Sequence, residues 1–345
     1  MQCTNANRRV FLKTALAGGL GAVGGMGLPC LTAAAGAAPA GSRSRVALTT
    51  GDDRAQNVFQ SLKTFGQEIA QAIGNRRVIV KPNNVSTTTQ LAATHADCLE
   101  GILEFLKSIG KVGQAVIAES SAGNTLDGFA NFGYPKVATK YGVKLVNLDD
   151  EPSDVMHVFD ETDFRPHAVR MSRLLLDPNS YLISAAMLKT HQLVVATLSL
   201  KNIVLGAPVK SARRSDKRIV HGGGTRGINY NLFLLAERLH PHLAVIDGYE
   251  GMEGRGPSRG TPVDHRVCVA STDWLAADRV AVKLMGIDFG NIGYLTYCAE
   301  AQLGEADLKR IEILGPPIKE HARKYELPPD MEELLLWKKP PQLRG

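Results

Sequence analysis

The sequence predicts an α/β protein with a mostly parallel sheet flanked by helices, and three observations carry that reading. Short apolar segments alternate with helical patterns along the chain. Several of those segments are apolar throughout, without the polar alternation of a strand that faces water on one side. Helical stretches of about a dozen residues separate successive strands, as crossover connections between parallel strands require. Both one continuous sheet and two α/β lobes with a cleft between them fit this order.

Residues 45–50 read as the first strand, ended by Gly51, Asp52 and Asp53. Val58, Phe59, Leu62, Phe65, Ile69 and Ile73 recur at spacings of three and four, a single helical stripe that Gly74 stops. Residues 76–81 form the next strand, 97–109 a helix, and 115–119 and 143–148 two further strands. Strands follow at 181–188, 243–247, 266–270 and 310–314, and helices at 229–239, 273–285 and 292–303. The basic stretch 210–218 reads as an exposed loop. Residues 41–315 thus make the α/β domain, and 316–345, with prolines and mixed charge, a C-terminal surface arm.

The N-terminus carries an address. Arg8 and Arg9 stand together ahead of Phe11, Leu12 and Lys13, the pattern of a twin-arginine export signal. The apolar run behind it holds six glycines between 18 and 27. Each costs a helix interior about 1 kcal/mol against alanine, which makes the run a poor permanent anchor. Ala38, Pro39 and Ala40 offer an Ala-x-Ala cleavage site, so residues 1–40 are expected to be a removable leader. The expectation is a periplasmic protein, exported already folded, with the translocase as a transient partner and no stable membrane span after cleavage. The leader holds three basic residues and no acid, so the net charge of +6 falls to +3 on its loss. So small a charge on so long a chain, without an arginine-rich run carrying interleaved aromatics, argues against nucleic acid. Cys98, Cys268 and Cys298 form no Cys-x-x-Cys pair, which argues against an iron–sulfur cluster and a structural zinc site.

Polar residues at the carboxyl ends of parallel strands are the ones to weigh for function. The strand 76–81 runs into Lys81, Pro82, Asn83 and Asn84, an anion-binding corner, and Thr94 and His95 open the next helix. The densest cluster is Lys189, Thr190 and His191, then Lys201 and Asn202 inside a second apolar stretch. A lysine in such a stretch must reach water, pair with a carboxylate or meet a bound anion, because an unpaired buried ammonium costs several kcal/mol. His221 precedes Gly222, Gly223 and Gly224, whose free amides at a helix start favour an anion. Gly222, Gly224 and Gly227 satisfy Gly-x-Gly-x-x-Gly, but the strand 218–220 before them is too short and Asp247 too far on, which argues against NAD. Asp247 ends another strand and leads into a loop with Glu253, Gly254 and Gly256. Asp247 and Glu253 are candidate ligands for a hard divalent cation, with Asp247 a candidate base. The identity of any cofactor stays open at this stage.

Lys-Pro-Asn, Thr-His, Lys-Thr-His, Ser-Leu-Lys-Asn, Asp-Gly-x-x-Gly-Met-Glu-Gly-x-Gly-Pro and Ile-Leu-Gly occur in that order over about residues 45–315. This series resembles the bacterial and archaeal family catalogued as domain of unknown function 362. The resemblance marks Lys81, Asn83, Thr94, His95, Lys189, His191, Lys201, Asn202, His221, Asp247, Glu253 and Gly256 as signature positions. Some relatives carry cysteine-rich ferredoxin-like segments, and this chain has none. The expected function is therefore an exported enzyme acting on a small anion, a carboxylate or phosphate. Lys189, Lys201 and His221 would hold the anion and His191 would act as acid or base. The alternative is a non-catalytic protein in which the same cations hold a ligand or metallocofactor.

Overall fold

In the chain's computed structural model, residues 43–340 are described, and the expected leader with Arg8 and Arg9 lies outside them. The chain enters through β1 (Ser44–Thr50), α1 (Arg54–Lys63), α2 (Gly66–Ile73) and β2 (Arg77–Pro82). The single helical stripe expected over 58–73 is broken at Thr64 and Phe65, where Gly66 restarts it. Next come α3 (Ala96–Ser108), β3 (Ala115–Glu119), α4 (Thr125–Asn131), α5 (Tyr134–Tyr141) and β4 (Lys144–Asn147). A hairpin of β5 (Ser153–Asp160) and β6 (Arg165–Ser172) and the short α6 (Arg173–Leu176) lead to the long β7 (Ser180–His191). Beyond it lie β8 (Val195–Thr197), α7 (Ser199–Gly206), the small hairpin β9 (Lys210–Ser211) and β10 (Arg214–Ser215), α8 (Asp216–Val220) and α9 (Thr225–Ala236). The chain closes with β11 (Leu243–Glu253), β12 (Thr261–Ser271), α10 (Trp274–Leu284), α11 (Gly293–Glu300), β13 (Ile311–Leu314), α12 (Ile318–His321) and α13 (Met331–Leu334).

One sheet of nine strands organises these elements, in the order β13-β1-β12-β11-β7-β2-β3-β4, with β8 beside β7. Only β12 and β8 run antiparallel to their neighbours. The α/β class expected from the sequence is therefore observed, as one continuous sheet rather than two lobes. Successive side chains alternate between two cores. Val78, Val80, Ile183 and Ala185 pack with α1, α2, α3 and α5 on one face. Ile79, Leu182, Ala186 and Leu188 pack with α7, α9, α10 and α11 on the other.

This winding fixes where a ligand can bind. From β2 the chain moves outward through α3 on one face to β3 and β4. From β7, the neighbour of β2 on its other side, it leaves through α7 on the opposite face toward β11. The carboxyl ends of β2 and β7 are thus the topological switch point, the crevice where open parallel sheets bind ligands.

Several segments depart from the sequence expectations. The basic stretch 210–218 is a two-stranded turn followed by α8, and residues 218–220, read as a short strand, end that helix. The cause is Asp216, fully buried, whose carboxylate accepts the Arg170 amide (2.7 Å) and the Arg170 and Arg214 guanidinium groups. Residues 316–340 lie along the body instead of standing free. Tyr325 is buried, its hydroxyl meets His265 Nδ1 at 2.9 Å, and its amide donates to the Met285 carbonyl at 3.0 Å. Cys98, Cys268 and Cys298 are buried and unpaired with one another. Among the described residues, no helix is long and apolar enough to cross a membrane.

Gly206, the last residue of α7, is the closest backbone approach in this layer. A Cβ there would lie 1.7 Å from Lys81 Cε, and the buried Lys81 chain has no second path. Gly206→Ala is expected to destabilise the protein by about 3 kcal/mol, as an overpacked core does, read as a lowered urea midpoint.

Candidate functional site

The floor of the β2–β7 crevice is a closed polar network. Lys81, at the end of β2, donates from Nζ to the Pro82 carbonyl (2.7 Å), Glu119 Oε2 (2.9 Å) and Asn202 Oδ1 (3.0 Å). Burial lowers the Lys81 pKa, and the Glu119 carboxylate opposes that shift. Glu119, at the end of β3, also accepts the amides of Asn84 (2.9 Å) and Ser120 (2.7 Å). Asn202, in α7, takes Asn83 Nδ2 at 3.1 Å and donates to the Lys81 carbonyl and Ser184 Oγ, each at 3.0 Å. Thr94 completes the floor. Its hydroxyl accepts the Asn83 amide (2.8 Å) and donates to the Ala185 carbonyl (2.7 Å). The sequence reading missed Glu119, whose only local mark is an acid ending an apolar strand. Lys81 is therefore an internally neutralised cation, paired with the Glu119 carboxylate.

Above this floor stand two lysines that form no salt bridge among the described residues. Lys189 is completely buried, and among the described residues its Nζ donates only to the carbonyls of Ala92 (3.3 Å) and Pro257 (3.4 Å). Burial drives its pKa well below the usual lysine value, and the charge of Lys201 adds to the effect. Lys201, 6% exposed in the first turn of α7, has no hydrogen-bond acceptor or carboxylate among the described residues. Its pKa falls to about 7 through burial alone. Asp278 already accepts the first two amides of α7, from Ser199 (2.8 Å) and Leu200 (3.2 Å). Lys201 thus projects near the positive end of a helix, which disfavours an ammonium.

Two histidines border the lysines. His191 Nδ1 accepts the Leu193 amide at 3.0 Å, so its proton sits on Nε2 and the ring acts as a donor. Burial, reinforced by Lys201, His221 and Lys189, holds its pKa well below the usual range. His221 has the opposite tautomer. Its Nδ1 donates to the Lys217 carbonyl at 2.7 Å and leaves the Nε2 lone pair open. Its pKa too is lowered, first by burial and then by Lys201. Polar atoms without partners complete the rim: Asn83 Oδ1 and both side-chain amide atoms of Asn84 are buried and unbonded. Such orphans are rare in folded proteins and mark a place where a ligand or water completes the set.

The structure does not bring the remaining candidates into this cluster. Asp247 lies in β11 just before a register shift in its pairing with β7, accepts the Tyr249 amide (2.9 Å) and pairs with Arg54 (3.3 Å). It lines a small separate crevice with His95, Arg54, Met187 and Glu250. Burial raises its pKa against the pull of Arg54. His95 caps α3, Nδ1 accepting the Asp97 amide at 3.2 Å, and burial lowers its pKa. Glu253 accepts the Glu326 amide at 2.8 Å, and the charges acting on Asp247 are those of Arg54, Asp97 and Glu250. Asp247 is thus engaged by Arg54 and Glu253 by the Glu326 amide. Among the described residues, no group of three or more His, Cys, Asp and Glu is placed to hold a metal ion.

The glycine-rich turn before α9 does hold an anion, but it belongs to the protein. Glu161, from the β5–β6 turn, accepts the Gly227 amide at 2.6 Å, and its other oxygen lies 2.2 Å from where a Gly224 Cβ would stand. Gly224 therefore serves the fold at this point and is not an open ligand site. Gly256 lies against the end of β7, where a Cβ would meet the Thr190 carbonyl at 2.0 Å, and its own carbonyl accepts the Gln192 amide at 3.0 Å.

The family described as Domain of unknown function (DUF362) matches residues 78–283, more than half of the chain. The chain belongs to this family. The match runs from β2 to α10 and so takes in every member of the polar floor and the basic cluster. No curated protein matches the chain.

The two layers of this family site answer differently to substitution. Glu119→Gln leaves Lys81 buried without its counter-charge and is expected to cost about 3–5 kcal/mol. Lys201→Met removes an unpaired buried cation and is expected to stabilise the fold by on the order of 2 kcal/mol. The folded pKa of Lys201, about 7, lies below the ordinary lysine value of 10.5. Across that window the unfolded chain binds the extra proton, so wild-type stability rises with pH from about 7 toward 10.5. Urea unfolding against pH should show a smaller rise in Lys201→Met.

Proposed function

We propose that this chain is an exported protein that binds a small anion, a carboxylate or phosphate, between Lys189 and Lys201 and transfers a proton to or from it at histidine. The observation that carries the reading is the buried Lys201 amine, whose charge acts on Lys189, His191 and His221 and which forms no salt bridge among the described residues. A fold does not leave such a group unpaired without cost, and a bound anion is the partner of matching charge. The tautomers divide the histidine work. His191, expected from the sequence as acid or base, presents an N–H and serves as a donor to the anion. His221, with its open Nε2, is the proton acceptor, and its low pKa keeps it unprotonated near neutral pH.

The second reading is a binding or maturation protein in which the same cations hold a ligand without turnover. The open His221 nitrogen favours the enzyme, because a purely anion-holding site would gain nothing from a lone pair aimed at its ligand. The twin arginine at Arg8 and Arg9 supports export in a folded state.

Sulfate is a suitable probe, since its charge does not change near neutral pH. Anion binding raises the Lys201 pKa, so the bound form takes up a proton. Calorimetric affinity should fall by up to about tenfold per pH unit above pH 7, with proton uptake visible as a dependence on buffer ionisation heat. Lys201→Met and Lys189→Met should each abolish most of the binding, while His221→Ala should leave it largely intact. Affinity that is flat with pH and indifferent to both lysines would sink the proposal. For export, replacing Arg8 and Arg9 together by lysine should leave the full-length protein in the cytoplasmic fraction of its host.

A further inference from the structure

We infer that Lys201 is a carbonyl-capturing amine, and that the anion of the site is a small 2-oxo acid held through an imine to its Nζ. This inference rests on the anion-binding reading and names its substrate class. Three buried lysines meet at the crevice, and their surroundings differ. Lys81 Nζ donates to three acceptors, one of them the Glu119 carboxylate. Lys189 Nζ is turned toward two backbone carbonyls, those of Ala92 and Pro257. Lys201 alone has neither acceptor nor counter-charge among the described residues, although only 6% of it is exposed. Its place in the first turn of α7, whose free amides already bind Asp278, sets it beside the positive end of a helix. Burial and a helix N-terminus favour the neutral amine, and desolvation is a recognised way to make a lysine nucleophilic. The pKa of about 7 agrees with that geometry.

The neighbours supply the rest of the chemistry. The Lys201 nitrogen lone pair forms the bond to the carbonyl carbon, and the carbonyl π pair moves to oxygen. His221 Nε2 accepts the proton that nitrogen loses and returns it to that oxygen, giving the neutral carbinolamine. The second nitrogen proton follows the same route, the oxygen leaves as water, and the nitrogen pair closes the C=N bond. Two protons and one oxygen depart as one water, and no oxidant or reductant is needed. The adjacent carboxylate lies with Lys189 Nζ and the His191 Nε2–H, which both present hydrogen-bond donors. A phosphate without a carbonyl would use the cations but leave the free amine without a role.

The test uses the intact mature protein with glyoxylate, the smallest such acid, and cyanoborohydride to reduce any imine, followed by peptide mapping by mass spectrometry. The expected result near pH 7 is a carboxymethyl group on Lys201, formed at least about a hundredfold faster than on exposed lysines such as Lys107. Excess sulfate should suppress it, and Lys201→Arg should abolish it without transfer to Lys189. Labelling spread over surface lysines with Lys201 untouched overturns the inference. If sulfate still binds through Lys189 and Lys201 in that case, the imine falls and the anion site stands. If sulfate binding is also absent, both fall.

Discussion

The ion pair between Lys81 and Glu119 is the contact on which the rest of the crevice depends, because it joins three elements that sequence keeps far apart. Lys81 ends β2, Glu119 ends β3, and Asn202 approaches from α7 on the other side of the switch point. Two charges taken out of water are tolerated only when every remaining lone pair and proton is satisfied. Here the backbone supplies those partners, through the Pro82 carbonyl and the amides of Asn84 and Ser120. Gly206 follows from the same contact, since the lysine chain occupies the space a side chain would need. The floor is thus rigid for electrostatic reasons, and the cations above it inherit fixed positions.

Those cations are held against their own preference. Lys189 and Lys201 lose hydration on folding and gain no carboxylate in return, so the fold is less stable than an apolar version of the same crevice would be. A protein that keeps such groups keeps them for a reason outside its own stability, and that is the physical basis for reading function here. The same reasoning removes other candidates. The glycine-rich turn at α9 looks like an anion cradle, but Glu161 already completes its hydrogen bonding, so no demand remains for an outside ligand. Asp247 is likewise matched by Arg54. Unmet demand, and not the mere presence of polar residues, separates the basic cluster from these sites.

The histidines show how one hydrogen bond sets a chemical role. His191 and His221 are both imidazoles under pressure from Lys201, and both stay neutral. What differs is the partner of Nδ1, an amide donor in His191 and a carbonyl acceptor in His221. A neutral ring that accepts at Nδ1 must donate at Nε2, and one that donates at Nδ1 must accept there.

Much of the fold was legible in the chain itself. The strand 115–119 agrees residue for residue, and most strands and helices of the main sheet lie within a few residues of their expected bounds, because buried parallel strands are apolar runs and helices repeat every three or four residues; β11 runs on to Glu253, β12 starts early at Thr261, and β8 was not expected. The hairpin β5–β6 and the turn at 210–218 were not legible. Their conformations rest on contacts distant in sequence, such as Asp216 with Arg170. The basic residues of the site were also visible as lysines ending apolar strands or set inside apolar stretches, since polar side chains in such places require a partner. Which lysine has that partner was decided only by tertiary structure. Glu119 lies 38 residues from Lys81 and could have neutralised any of the three. Hydrophobic periodicity determines which face a side chain takes, whereas charge pairing is a matter of a few ångströms between strands, and only the folded sheet sets that distance.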